Sequence, residues 1–297
     1  MVDLRILITG ASGLLGSKLA ELAVKLGHEV YSGYLSHEPV HGTKIRIDVR
    51  DKDALGKIFS RIRPEAIIHT AALTDVDRCE AERELAWSIN VGGTRNIAEL
   101  SKEYGAFLVY ISTDYVFRGD KGMYRETDEP DPINYYGLTK LKGEEEVINI
   151  ANEFCIARSS VIYGARPASG KVNFALWTIE KLKAGETVNI VIDQWSSPTL
   201  NTNLSEMLLE VVERRIAGIY HLAGATRISR YDFAKLIAEN FNLNKRLIKP
   251  STMDMLRWTA NRPRDSSLDV SKASMNLRSK PLEIEEALRK LKQELIP

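Results

Sequence analysis

A doubly wound parallel α/β sheet of the Rossmann kind, with a smaller second α/β lobe, is the fold that three features of this 297-residue chain predict. Short apolar runs alternate with helical periods through the first half, and strands separated by helices need crossovers, hence parallel pairing. A glycine triplet opens the first helix directly after the first strand. Near Gly164 the texture changes, at the Gly/Pro/Ser-containing stretch "GARPASGKVN".

The elements follow in order. "RILIT" (Arg5–Thr9) reads as a buried strand. Leu15, Leu19, Leu22 and Leu26 then recur on one face of a helix, with Gly27 as its stop. "EVYSGY" and "KIRID" are the second and third strands, "DALGKIFSRI" is a helix, and "AIIHTAA" is the fourth strand. "ELAWSINVGGTRNIAELSKEY" reads as one helix and "FLVYIST" as the fifth strand. Residues 1–164 are thus expected to form a dinucleotide-binding domain. Residues 165–297 are expected to be mainly a substrate lobe, with a helix, a strand "VNIVID", the turn "QWSSPT" and a mostly helical tail. "GIYHLAG" (Gly218–Gly224) is the exception, a late strand expected to return to the main sheet.

Composition narrows the function. Hydrophobic content of 44% with 27% charged residues is ordinary for a soluble globular protein. Forty-one basic against 40 acidic residues leave a formal charge of +1. Such a balance offers no bulk field for nucleic acid or an acidic membrane, so any anion must be met locally. Cys79 and Cys155 lie far apart and outside any C-x-x-C, as expected of reduced thiols in a cytoplasmic protein. The apolar run in "MVDLRILITG" is too short for a signal peptide, and no 18-residue apolar stretch follows.

In "TGASGLLG", Gly10 allows a tight turn, Gly13 lets the backbone approach a pyrophosphate, and Gly16 permits close helix–strand packing. Ser12, Leu14 and Leu15 share this loop, where the helix N-terminus supplies amides and positive dipole. The spacing is G-x-x-G-x-x-G, and the strand before and helix after identify a dinucleotide site. NAD-type sites place an acid at the end of the second strand for the ribose 2′-hydroxyl. Here that segment is "YSGYLSH", which ends at His37 and has no carboxylate. NADP(H) is therefore favoured, with NAD(H) as the alternative. "HEPVH" (His37–His41) matches a zinc-protease pattern, but Pro39 would cost a helix about 3 kcal/mol, so the segment is expected to be a loop and no metal is assigned.

Tyr-x-x-x-Lys occurs twice, at Tyr136–Lys140 ("YGLTK") and Tyr231–Lys235 ("YDFAK"). Context separates them. "YISTDYVF" ends the fifth strand at the sheet edge where such folds bind ligands, and it brings Ser112 and Thr113 to the crevice ahead of Tyr136. On a helix, residues i and i+4 share a face, so phenol and ammonium can meet one ribose and one carbonyl. A lysine cation would make the phenol a better acid. Tyr231 instead follows an S-x-x-D capping box (Ser229, Asp232) and reads as a packing residue.

Together "TGASGLLG", "RIDVRD", "HTAALTDVD", "NVGGTRN", "STDYVF", "YGLTK" and "RSSVIYG" resemble the extended short-chain dehydrogenase/reductases. Within them, "STDYVFRG", "YYGLTKLKGE", "DQWSSPT" and "NRPRDSSLDVSK" are most similar to the dTDP-4-dehydrorhamnose reductases. The regulatory β-subunits of methionine adenosyltransferase form a similar sister group. The resemblance implies that Gly13, Leu14 and Leu15 line a pyrophosphate, that Asp48 and Val49 edge the adenine, and that Ala71, Ala72, Leu73 and Thr74 border the cofactor's middle. It implies Thr113, Tyr136 and Lys140 as a catalytic trio, with Asp114 and Tyr115 facing a sugar. Arg262 and Arg264 would take a nucleotide diphosphate, with surface or interlobe salt bridges as the rival reading. Where those reductases carry Trp this chain has Val161, a departure at the sugar contact. The implied activity is NADPH-dependent reduction of a nucleotide-linked 6-deoxy-4-ketohexose. An NDP-sugar epimerase and a non-catalytic NADP-binding subunit are the alternatives. The base, the stereochemistry and the oligomeric state, a homodimer included, are left open.

Overall fold

Strand β1 (Arg5–Thr9) is buried over all but its first residue, the pattern of a strand covered by helices on both faces. A computed structural model of the chain describes residues 3–167 and 172–295. In it β1 is joined by β2 (Glu29–Tyr34), β3 (Thr43–Arg46), β4 (Ala66–His69), β5 (Phe107–Thr113) and β6 (Phe154–Ser159). Three short pairings lie outside the main sheet: β7 (Ile162–Tyr163) with β10 (Thr199–Leu200), β8 (Val188–Val191) with β13 (Ile248–Ser251), and β9 (Trp195–Ser196) with β12 (Ile228–Ser229). Strand β11 (Gly218–His221) pairs with β6, giving a seven-stranded sheet of order β11-β6-β5-β4-β1-β2-β3. Every neighbour in it runs parallel.

Successive residues of β1 point to opposite faces. Ile6 and Ile8 pack under helices α1 (Leu14–Lys25) and α8 (Asn201–Glu213), with Leu19, Leu204 and Leu208. Leu7 points the other way, into a core with Phe59 of α2 (Lys52–Ile62), Ile97 of α5 (Thr94–Tyr104) and Val147 of α6 (Tyr135–Ile150). A separate core joins α7 (Phe174–Lys183), α9 (Arg230–Asn240) and α11 (Ile284–Leu295) through Ile179, Phe233 and Leu288. Residues 201–221 therefore build on the main sheet, although they lie beyond Gly164 in the chain. Of the break "GARPASGKVN", residues 168–171 lie outside the described residues.

Three expectations need correction. The single helix expected from "ELAWSINVGGTRNIAELSKEY" is interrupted: α4 (Arg83–Trp87) and α5 are separated by a π-helical turn, Ser88–Gly93. The distortion seats the buried Asn90, whose Oδ1 accepts from the Leu73 amide at 2.8 Å and whose Nδ2 donates to the Leu73 carbonyl and to Thr139 Oγ1. "QWSSPT" is not a bare turn, because it contains β9 and opens β10. The tail includes β12 and β13, as well as α9, α10 (Ser271–Asn276) and α11. Among the described residues no helix is long and apolar enough to cross a membrane.

Candidate active site

The loops after β1, β2, β4 and β5 open on one edge of the sheet, and between them lies a cleft of about 690 Å³. At one end is the turn from β1 into α1. Gly10 has φ of +69°, and a Cβ there would sit 2.9 Å from the Ala71 backbone; a Cβ on Gly16 would sit 2.3 Å from the Gly10 carbonyl. No larger residue fits either place, so the turn and the close packing read from the sequence are both required. Gly13 caps α1 with extended backbone and no side-chain acceptor, which leaves the helix amides turned to the cleft. That cradle fits the pyrophosphate of a dinucleotide.

Of the residues singled out in the sequence, Gly10, Ser12, Gly13, Leu14, Leu15, Gly16, His37, Asp48, Val49, Ala71, Ala72 and Thr74 line this cleft. So do Thr113, Asp114, Tyr115, Tyr136, Lys140 and Val161. Leu73, Arg262 and Arg264 do not. Leu73 lies beneath, its backbone held by Asn90. The "HEPVH" segment is loop. Arg50, which no reading of the β2 terminus could find, reaches the same rim from beyond β3, where it grips Asp48 at 2.6 and 2.9 Å. That pairing holds the Asp48 carboxyl below its ordinary range.

At the other end α6 begins. Its N-cap Asn134 accepts from the Gly137 amide at 2.8 Å, and this fixes the first turn that carries Tyr136. Burial pushes the Tyr136 phenol well above its usual range, and hydrogen bonding by Thr113 works against the shift. The phenol therefore stays protonated. Lys140 is 3% exposed and is pulled down to about 7 by burial, with the Glu144 carboxylate opposing. Its Nζ lies 4.1 Å from the centre of the Tyr110 ring. The acidifying effect of Lys140 on Tyr136 that the spacing suggested is therefore outweighed by burial here.

Glu144, one turn beyond Lys140, is locked to Arg158 by contacts of 2.7 and 2.9 Å in a pair almost wholly buried. Asp114 is 2% exposed and accepts from Thr113 Oγ1 at 3.0 Å, Ser160 Oγ at 2.8 Å and Ser266 Oγ at 2.6 Å. Burial raises its carboxyl despite these bonds. The network ties the end of β5 to Ser160 and to the "NRPRDSS" loop. Val161 holds φ of +39°, an unusual conformation for a β-branched residue, at the rim where the sugar contact was expected.

"YDFAK" lies elsewhere. Ser229 Oγ accepts from the Asp232 amide at 3.0 Å, so Tyr231 falls in the first turn of α9. Its ring packs with the Leu182, Val188 and Ala234 cluster, and Lys235 sits 4.7 Å above that ring. The corrected positions of the two arginines follow from their partners. Arg262 Nη2 donates to Asp77 at 2.9 Å, and Arg264, which is 57% exposed, to Asp193 at 3.0 Å. A second residue that was missed, after Arg50, is Arg230, which lines the cleft directly before Tyr231.

The chain is similar to known proteins over nearly its whole length. Residues 4–296 match the RmlD substrate binding domain family. The chain is 36% identical to the probable low-salt glycan biosynthesis reductase Agl14 of Haloferax volcanii, over 89% of each chain. It is 32% identical to the dTDP-4-dehydrorhamnose reductase of Aggregatibacter actinomycetemcomitans, over 97% of this chain and 98% of that one. It is also 32% identical to methionine adenosyltransferase 2 subunit beta of Rattus norvegicus, over 90% and 81%. The crystal structure of dTDP-4-dehydrorhamnose reductase from Bacillus anthracis in complex with NADP superposes with a TM-score of 0.89 at 34% identity, covering 99% of this chain and 100% of that one. With its seven-stranded parallel sheet, its glycine turn and a match that spans nearly every residue, the chain belongs to the RmlD substrate binding domain family.

Proposed function

We propose that the protein reduces the C4 ketone of a nucleotide-linked 6-deoxy-4-ketohexose with NADPH, as a dTDP-4-dehydrorhamnose reductase does. One observation carries the reading: the glycine turn and the trio Thr113, Tyr136 and Lys140 line a single cleft. When bound, NADPH supplies the hydride. Tyr136, kept protonated by burial, donates its phenolic proton to the oxygen left on C4. Thr113 stands beside it at the end of β5, and its hydroxyl, which donates to Asp114 in this structure, would turn to hydrogen-bond that same oxygen when substrate is bound. Lys140, on the same face of α6, holds the nicotinamide ribose, and the buried Glu144 favours its charged form. The nucleotide would lie toward the lobe built on α7, α9 and α11.

NADPH is the expected cofactor because the end of β2 has no carboxylate and Arg50 reaches the rim. It should bind about tenfold more tightly than NADH, about 1.4 kcal/mol, in a titration followed by protein fluorescence. A clear NADH preference would contradict this part of the reading. Similarity to a methionine adenosyltransferase subunit supports a second reading, a cofactor-binding regulatory subunit. Stoichiometric loss of NADPH absorbance with dTDP-4-keto-6-deoxyhexose separates the two, since a regulatory subunit consumes none and an epimerase regenerates its cofactor.

A further inference from the structure

Three basic side chains longer than histidine line the described part of the cleft: Arg50, Lys140 and Arg230. Arg50 is tied to Asp48, and Lys140 lies over Tyr110 beside Tyr136. Arg230 differs from both. No carboxylate among the described residues stands within salt-bridge distance of it. Its Nε makes one long contact, 3.4 Å, to Gln194 Oε1, and its guanidinium stacks 4.7 Å from the Phe174 ring centre. By contrast Arg158, Arg262 and Arg264 each have a carboxylate partner. Arg230 is half-buried and has no anion partner among the described residues, and its planar set of donors suits a phosphate.

Its neighbours show where such an anion would lie. Gln194 Nε2 donates to the Pro263 carbonyl at 3.3 Å and its backbone carbonyl accepts from the Arg230 amide at 2.9 Å, so it joins the "QWSSPT" and "NRPRD" segments at Arg230, whose charge also acts on the Tyr115 phenol. Tyr115 meets the Tyr136 ring edge-on at 6.0 Å. The sequence of groups along the cleft is therefore proton donor, Tyr115, then Arg230. Arg230 is also the first residue of α9, and the positive end of that helix adds to its field.

We infer that Arg230, rather than Arg262 or Arg264, is the specificity residue that binds the diphosphate of the nucleotide sugar. Gln194 and Phe174 hold its guanidinium toward the cleft. The inference rests on the reductase reading but is tested apart from it, by binding of dTDP alone to the NADP-loaded protein. Arg230→Gln should weaken dTDP at least tenfold by titration calorimetry, with Arg230→Lys in between and Arg264→Ala like wild type. NADPH affinity and thermal midpoint should stay at wild-type values in all three. In turnover, Arg230→Gln should raise KM for the sugar nucleotide at least tenfold and change kcat less than threefold. Unchanged dTDP binding in Arg230→Gln, no dTDP binding by the wild type, or an equal loss in Arg264→Ala would overturn the inference. If the wild type binds dTDP through Arg230 yet oxidises no NADPH, the inference stands and the reductase reading fails.

Discussion

Lys140 shows how far the setting of one residue can depart from what its spacing suggests. Its place four residues after Tyr136 was legible, because i and i+4 share a helix face. Its protonation was not, because burial and Glu144 act on it from the folded surroundings. The folded value of about 7 lies below the ordinary 10.5. Between those values the unfolded chain binds the proton that the native protein releases, so this group makes stability rise as pH rises from 7 toward 10.5. Below pH 7 the burial cost is felt in full. Lys140→Met removes the effect. The stability of wild type relative to Lys140→Met, from urea unfolding without cofactor, should increase by on the order of 2–3 kcal/mol between pH 7 and 9.5. A difference independent of pH would mean that Lys140 is not held in this buried setting. Arg230 is the opposite case. Its sequence neighbours announce a capped helix and nothing else, and only the tertiary meeting of α9 with Gln194 and Tyr115 turns it toward the cleft.

At the scale of elements, alternating apolar runs and helical periods carry the strand and helix order, since sheet burial and helix faces leave regular patterns. The π-helical turn left no such trace. Asn90 stood inside the motif "NVGGTRN", but its role depends on Leu73 and Thr139, 17 and 49 residues away in the chain. Asn90→Ala would leave the half-buried Leu73 amide without this partner and the Leu73 carbonyl with only the Cys79 thiol, at a cost of about 1–2 kcal/mol. Thr139 lies between Tyr136 and Lys140 on α6, so turnover should also fall, by roughly tenfold, if this bond sets the helix position. Thermal unfolding and steady-state kinetics check both, and wild-type stability in the mutant would remove Asn90 from this role. The short strands β9 and β10 escaped notice for a different reason. Each has two residues, too few for any period to register.

For the whole molecule, a glycine turn and a half-buried phenol on one cleft support the proposed carbonyl reduction in a member of the RmlD substrate binding domain family. Chain position alone did not locate the anion-binding arginine, because Arg262 and Arg264 find carboxylates only once Asp77 and Asp193 are folded against them. The two Tyr-x-x-x-Lys pairs could be ranked from sequence because one follows a strand end and the other a capping box. That ranking puts the proton donor at Tyr136. Its most direct test follows NADPH absorbance with dTDP-4-keto-6-deoxyhexose for wild type, Tyr136→Phe and Tyr231→Phe side by side. The wild type should consume one NADPH per sugar, Tyr136→Phe should be slower by at least ~10², and Tyr231→Phe should stay within a few-fold of wild type. No consumption by the wild type, or equal rates in the two mutants, would contradict it.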